Sequence, residues 1–250
     1  MIECLSPNWD NRSEGIKIDI LVMHYTGMRS GEEAQARLCD PIAKVSSHYM
    51  VYEDGRVIQM VPEEKRAWHA GVSCWRGISS LNDTSIGIEI VNPGHEFGYR
   101  AFPKVQMEAV SDLASGIIER HYIPARNIIG HSDIAPTRKE DPGELFDWKF
   151  LAAEGIGLWP EVKKIRKPHA PVITPGEESL SVARIQKMLA DYGYFIKVDG
   201  FYGPKSESVI KAFKRHFVPE YVNVVWDNVA EARLIKLLEM VYTISTSKTK

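Results

Sequence analysis

Between Trp159 and Gly176 the chain carries a stretch that neither a helix nor a strand can absorb. It reads Lys163-Lys164-Ile165-Arg166-Lys167-Pro168-His169-Ala170-Pro171 and then Thr174-Pro175-Gly176. Each proline removes a backbone donor and fixes φ, and clustered like charges repel one another. The segment therefore divides the 250 residues into a unit over 1–160, a connector over 161–177 and a smaller unit over 178–245. A solvated connector is the reading of the basic run; contact with lipid or polymer is the alternative.

In the first unit, strands and helices alternate. Ile16 to Met23 reads as a buried strand, and Gly31 to Cys39 as a short helix stopped by Asp40-Pro41. Tyr49 to Tyr52 and Arg56 to Val61 flank Glu53-Asp54-Gly55, a hairpin signal. Ser85 to Val91 is a further central strand. Lys104 to Tyr122 carries Val105, Ala109, Leu113, Ile117 and Ile118 at helical spacing, and Phe146 to Ala153 reads as another helix. This order predicts an α/β fold with a mixed central sheet flanked by helices. In the second unit, helices are expected over Ser179–Tyr192, Pro204–Phe217 and Ala230–Val241, a small three-helix domain.

Three residues stand out chemically. His24 follows the apolar run Ile18-Asp19-Ile20-Leu21-Val22-Met23, at a strand end where open α/β sheets place ligands. His131 follows Asn127-Ile128-Ile129-Gly130, and Asp141 precedes Pro142-Gly143. Two imidazoles and a carboxylate can hold Zn2+ and leave a fourth position to water, an arrangement suited to hydrolysis. Lys139, two residues before Asp141, is either an oxyanion-stabilising ammonium or a surface lysine. Glu89 interrupts the apolar strand Ser85-Ile86-Gly87-Ile88-Glu89-Ile90-Val91. A carboxylate there is costly unless paired or facing a cavity, so it is a general base or a structurally satisfied acid. His48 and His69 are alternative ligands in place of His24, or residues of the pocket wall or of the shell around the metal ligands. His95, His121, His169 and His216 are expected to be incidental.

Composition narrows the partners. A net charge of −2 gives no electrostatic case for nucleic acid or a membrane surface. No apolar run is long enough to span a bilayer. Cys4, Cys39 and Cys74 are far apart in sequence and odd in number, which argues against a disulfide framework. Met1 to Asp10 lacks the basic start and apolar stretch of a signal peptide. Oligomeric state has no signature in the sequence.

Five segments, taken in order, resemble the zinc-dependent N-acetylmuramoyl-L-alanine amidases of the type 2 amidase family, in its AmpD/AmiD branch. They are Met23-His24-Tyr25-Thr26, Ser47-His48-Tyr49, Lys65-Arg66-Ala67-Trp68-His69-Ala70-Gly71, Asn82-Asp83-Thr84-Ser85-Ile86-Gly87-Ile88-Glu89, and the loop from Gly130 to Gly143. The resemblance covers about residues 15–158. It implies the fold shared with peptidoglycan recognition proteins and phage T7 lysozyme. It further implies zinc bound by His24, His131 and Asp141, water activation by Glu89 and transition-state stabilisation by Lys139. Arg66, Trp68 and His69 are implied to lie near the substrate groove. Tyr25, where one subgroup has asparagine, joins them as a substrate-contact candidate. The implied substrate is peptidoglycan or soluble muropeptides, including those with a 1,6-anhydro sugar. Non-catalytic relatives typically lack part of the metal set, which is complete here.

Residues 179–241 resemble the three-helix peptidoglycan-binding domain appended to such enzymes, through Arg184-Ile185-Gln186-Lys187-Met188-Leu189, Val198-Asp199-Gly200-Phe201-Tyr202-Gly203-Pro204 and Val209-Ile210-Lys211-Ala212-Phe213. Lys214 stands where that domain usually has glutamine. A wall-binding unit favours the periplasm or envelope, whereas the lack of a recognisable leader favours the cytoplasm. Both compartments remain open at this point.

Overall fold

The structure is a computed structural model and describes residues 2–162 and 173–247, with side chains described up to 243. The basic run 163–167 and His169, within the expected connector, lie outside the described residues. The chain opens with β1 (Ile2–Glu3), β2 (Trp9–Asn11), β3 (Ile20–Tyr25) and α1 (Gly31–Cys39). Next come β4 (Tyr49–Val51), β5 (Val57–Gln59), β6 (Lys65–Ala67), β7 (Cys74–Trp75), β8 (Ile78–Ser79) and β9 (Ser85–Ile90). They are followed by α2 (Gly94–Phe97), α3 (Lys104–His121), β10 (Ile128–Gly130), α4 (His131–Ile134) and α5 (Trp148–Ala153). The second unit is α6 (Leu180–Tyr192), α7 (Pro204–Phe217) and α8 (Asn228–Ser247). No helix among the described residues is long and apolar enough to cross a membrane.

Six strands form one mixed sheet in the order β1-β5-β4-β9-β3-β10, with only β4 and β5 antiparallel. The expected strand over 16–23 is shifted: pairing with β9 runs on through His24 and Tyr25, so the histidine lies inside the strand. The small pairs β2–β6 and β7–β8 had no clear sequence signal.

Alternation along β3 and β9 decides what each face of the sheet carries. Leu21, Met23, Ile86, Ile88 and Ile90 point to one face, where α3 and α5 cover them. The helix buries Met107, Val110, Leu113, Ala114 and Ile117, while Val105, read as part of the apolar stripe, is exposed. The opposite face carries Ile20, Val22 and Ile129 under the second unit, and Met50 and Ile58 under α1. Ser30 caps α1 by accepting from the Glu33 amide at 3.2 Å. Between these two covers, over β9 and β3, the sheet is left open as a cleft floor.

The two units share one continuous apolar core, in which Val22, Trp75 and Ile134 pack with Leu189, Phe213 and Phe217. Trp75 rests on Gly193, where any Cβ would come within 2.8 Å of the indole. Lys214, the departure from the domain's usual glutamine, is buried and satisfied by Asp227 at 2.6 Å and Asn223 at 2.9 Å. Cys4 and Cys39, far apart in sequence, come together with sulfurs 3.7 Å apart, as β1 lies beside the end of α1.

Glu63 clamps the α3 side of the sheet. It accepts from Tyr49 at 2.7 Å, from Arg120 at 2.7 Å and from His121 at 2.6 Å. Burial alone would raise this carboxyl, but the hydrogen bonds from Arg120, Tyr49 and His121 outweigh it and bring it from 4.5 down to about 2. A depressed carboxyl stabilises the fold above its unfolded pKa and loses that contribution as pH falls towards the folded one. Glu63→Gln is therefore expected to cost about 1–2 kcal/mol at pH 7. The gap from the parent should narrow between about pH 4.5 and about pH 2, as read by urea denaturation; a gap independent of pH would refute the clamp.

Candidate metal centre and cleft

His24 and Glu89 are register partners on adjacent parallel strands, so both side chains emerge on the open face. β9 presents Ser85, Gly87 and Glu89 there in place of isoleucines. Gly87 is required by close approach: a Cβ would fall 2.5 Å from the His69 ring. Across the cleft, β10 ends at Gly130 and releases the loop that carries His131 and Asp141. The Ser132 amide bonds the Asp141 carbonyl at 2.9 Å and so closes that loop on itself.

His24 Nδ1, His131 Nδ1 and Asp141 Oδ2 converge. The two nitrogens are 2.9 Å apart, and each is 3.0 Å from the carboxylate oxygen. All three residues are buried, and together they form a group that can bind a metal ion. The donor chemistry supports this. Ser85 Oγ donates to the Leu81 carbonyl at 2.5 Å and so accepts from His69 Nε2 at 3.1 Å. His69 Nδ1 then accepts from His24 Nε2 at 3.0 Å, which leaves His24 Nδ1 without a proton. His131 Nε2 donates to the Ala70 carbonyl at 3.1 Å, which leaves its Nδ1 bare as well. Three lone pairs thus face one point, an arrangement that a cation satisfies and a hydrogen bond does not.

Burial, aided by the neighbouring His131, lowers His24 to about 4. Burial raises Asp141, but both imidazoles outweigh it and hold the carboxyl well below its ordinary range. Burial and then Asp141 push Glu89 well above the usual carboxylate range. Its Oε2 is buried and has no hydrogen-bond partner among the described residues.

A cleft of about 460 Å³ opens above the triad, with Tyr25, His69, Glu89, His131, Lys139 and Asp141 in its lining. Arg66 and Trp68 do not line it. Arg66 forms a two-pronged pair with Asp10 at 2.5 and 2.6 Å, and Trp68 also hydrogen-bonds that carboxylate. His69 lines the cleft and is also buried against His24, whose Nε2 lies 3.0 Å from its Nδ1. His48 is buried behind it, accepting from the Gly87 amide at 3.0 Å, and is no member of the triad. Among the lining residues, His95 departs from its expected incidental role, and Arg37, from α1, was not singled out by the sequence. His95 hydrogen-bonds the Tyr25 hydroxyl at 3.0 Å and stacks on Tyr99. It follows the carboxyl end of β9, the same rule that singled out His24.

Comparison with known proteins agrees with this architecture. The N-acetylmuramoyl-L-alanine amidase family model matches residues 14–144, and a peptidoglycan binding domain model matches residues 178–228. The chain belongs to the N-acetylmuramoyl-L-alanine amidase family. It is 41% identical over 242 residues to N-acetylmuramoyl-L-alanine amidase AmiD of Escherichia coli (strain K12), spanning 89% of this chain and 83% of that one. The solved structure of E. coli AmiD with the substrate anhydro-N-acetylmuramic acid-L-Ala-D-gamma-Glu-L-Lys superposes with a TM-score of 0.77 at 38% identity. It covers 92% of this chain and 93% of AmiD. AmpDh3 of Pseudomonas aeruginosa, in complex with anhydromuramic pentapeptide, superposes with a TM-score of 0.73 at 28% identity, over 95% of this chain and 98% of that one.

Proposed function

We propose that this protein is a zinc amidase that hydrolyses the bond between N-acetylmuramic acid, including its 1,6-anhydro form, and L-alanine in peptidoglycan fragments. The observation that carries this reading is the convergence of His24 Nδ1, His131 Nδ1 and Asp141 Oδ2 within 3.0 Å at the base of a cleft that Glu89 and Lys139 also line. Similarity to AmiD and AmpDh3, each solved with an anhydromuramyl peptide, supports the substrate class. His24, His131 and Asp141 would hold the zinc, which when bound would make hydroxide available near neutral pH and polarise the scissile carbonyl.

The chain's own groups do the rest. Glu89 accepts the proton of the attacking water and passes it to the leaving amine. Burial, and then the Asp141 carboxylate, raise the pKa of Glu89, which suits a group that takes up a proton. Lys139, which makes no ion pair among the described residues, donates to the developing oxyanion. His69 and the Ala70 carbonyl hold the two imidazoles in the tautomer that leaves Nδ1 free. Tyr25 bounds the substrate cleft. Residues 1–160 form the catalytic unit, and 178–245 add a peptidoglycan-binding unit.

Incubation with a soluble muramyl peptide is expected to release a peptide with a free L-alanine amino terminus, identified by mass spectrometry. Intact substrate, or a cut elsewhere in the stem, would contradict the assignment. Exhaustive chelation is expected to abolish turnover while far-UV circular dichroism stays unchanged, and added zinc should restore it. Turnover that persists in metal-free protein would remove zinc from the reaction.

A further inference from the structure

The loop from Gly130 to Gly143 supplies two of the three converging donors and Lys139, and the second unit grips it from below. Asp133, two residues past His131, is buried. Its carboxylate accepts from three donors: the Gly130 amide at 2.8 Å, the Tyr194 hydroxyl at 2.6 Å and His216 Nδ1 at 2.7 Å. Gly130 and Asp133 flank His131, so this one carboxylate ties the backbone around a metal-binding residue to two side chains of the second unit. The His216 ring is held between Trp148 of α5 and Phe217, with centroids 3.8 Å away on both sides. One residue along, Arg215 pairs with Glu140, which stands between Lys139 and Asp141, and its Nε lies 3.8 Å from Glu144.

A buried carboxylate is costly unless its lone pairs are filled. Two of the three groups that fill those of Asp133 come from the second unit. Without them Asp133 keeps one amide, and the turn that aims His131 must rearrange or hydrate. A wall-binding domain trailing on a tether would need none of these contacts. Units joined only by a connector are expected to move relative to one another unless a large apolar interface holds them, and here the core is shared.

We propose that the three-helix unit is the scaffold of the metal-bearing loop, with Tyr194, Arg215 and His216 as positioning residues for the reaction, in addition to any grip on polymer. This rests on the metal-site reading above. The test uses the full chain carrying Tyr194→Phe, His216→Ala, His216→Asn or Arg215→Met. Zinc affinity is measured by competition with a chromophoric chelator, kcat and KM on a soluble muramyl peptide, and binding to isolated cell-wall sacculi by pull-down.

Outer-shell losses typically weaken metal affinity about 10–100-fold. Tyr194→Phe and His216→Ala are expected to fall in that range, with lowered kcat and with KM and sacculus binding unchanged. Arg215→Met should lower kcat more than metal affinity, because it acts on the Lys139 end of the loop. His216→Asn keeps a donor near the Nδ1 position and should recover most of the affinity. Tyr194→Phe removes a single hydroxyl and keeps the test available if His216→Ala fails to fold. Zinc affinity and soluble turnover within twofold of the parent in Tyr194→Phe and Arg215→Met would overturn the proposal. So would a loss of thermal stability with no change in affinity. A parent that binds zinc but cleaves no muramyl peptide would sink the amidase reading, and the affinity comparison would still decide this one.

Discussion

Asp141→Ala is expected to yield folded protein that retains no zinc and turns over muramyl peptide at least ~10³-fold more slowly, since the lost metal chemistry amounts to several kcal/mol. Asp141 supplies the only anionic donor of the three. Its removal leaves two imidazoles whose Nε2 protons are committed to His69 and Ala70 and whose bare Nδ1 atoms face each other at 2.9 Å. One ring must then change tautomer and break its outer hydrogen bond. The fold itself should survive, because the loop closure at this point is the backbone bond from Ser132 to the Asp141 carbonyl. The parent's melting temperature should rise with added zinc, and that rise should vanish in the variant. A variant that still shows the zinc-dependent rise would mean that the cation binds elsewhere.

Glu89→Gln is expected to lower kcat about 10²- to 10⁴-fold, the range for loss of a general acid–base. The change is nearly isosteric, and Glu89 is not one of the three converging donors, so zinc affinity and KM should stay within a few-fold of the parent. The position rather than the residue type carries this prediction. Glu89 is the strand partner of His24, so its carboxylate rises from the cleft floor beside the three converging donors. Its unpartnered buried oxygen identifies it as an acid without a structural partner among the described residues. If kcat holds while stability falls, Glu89 is a structural acid and another group is the base.

Several features were legible before any coordinates. Helices over Gly31–Cys39 and Pro204–Phe217 coincide with α1 and α7, because each carries its own stop or start signal: Asp40-Pro41 after the first and Pro204 at the head of the second. The alternation Ser85, Gly87, Glu89 against Ile86, Ile88, Ile90 marks a strand with one apolar face and one working face. Less legible were residues whose fate depends on a distant partner. Arg66 reads as a groove cation, but Asp10, on the antiparallel partner strand, draws it away. His216 reads as incidental because its partners, Asp133 and Trp148, belong to the other unit. Cys4 and Cys39 read as unrelated thiols, and only the packing of β1 beside α1 brings them together.

By itself the sequence determined the family, the mixed sheet, the helical second unit and the identity of the converging donors. These follow from local periodicity, turn chemistry and the order of motifs, each written within a short span of chain. The tertiary structure alone decided which nitrogen of each histidine faces the point of convergence, that His69 packs against His24, and that the second unit is fused to the loop carrying His131 and Asp141. Those outcomes depend on hydrogen bonds and burial between residues 45 to 83 positions apart, and no local pattern encodes a contact that chain folding must first create.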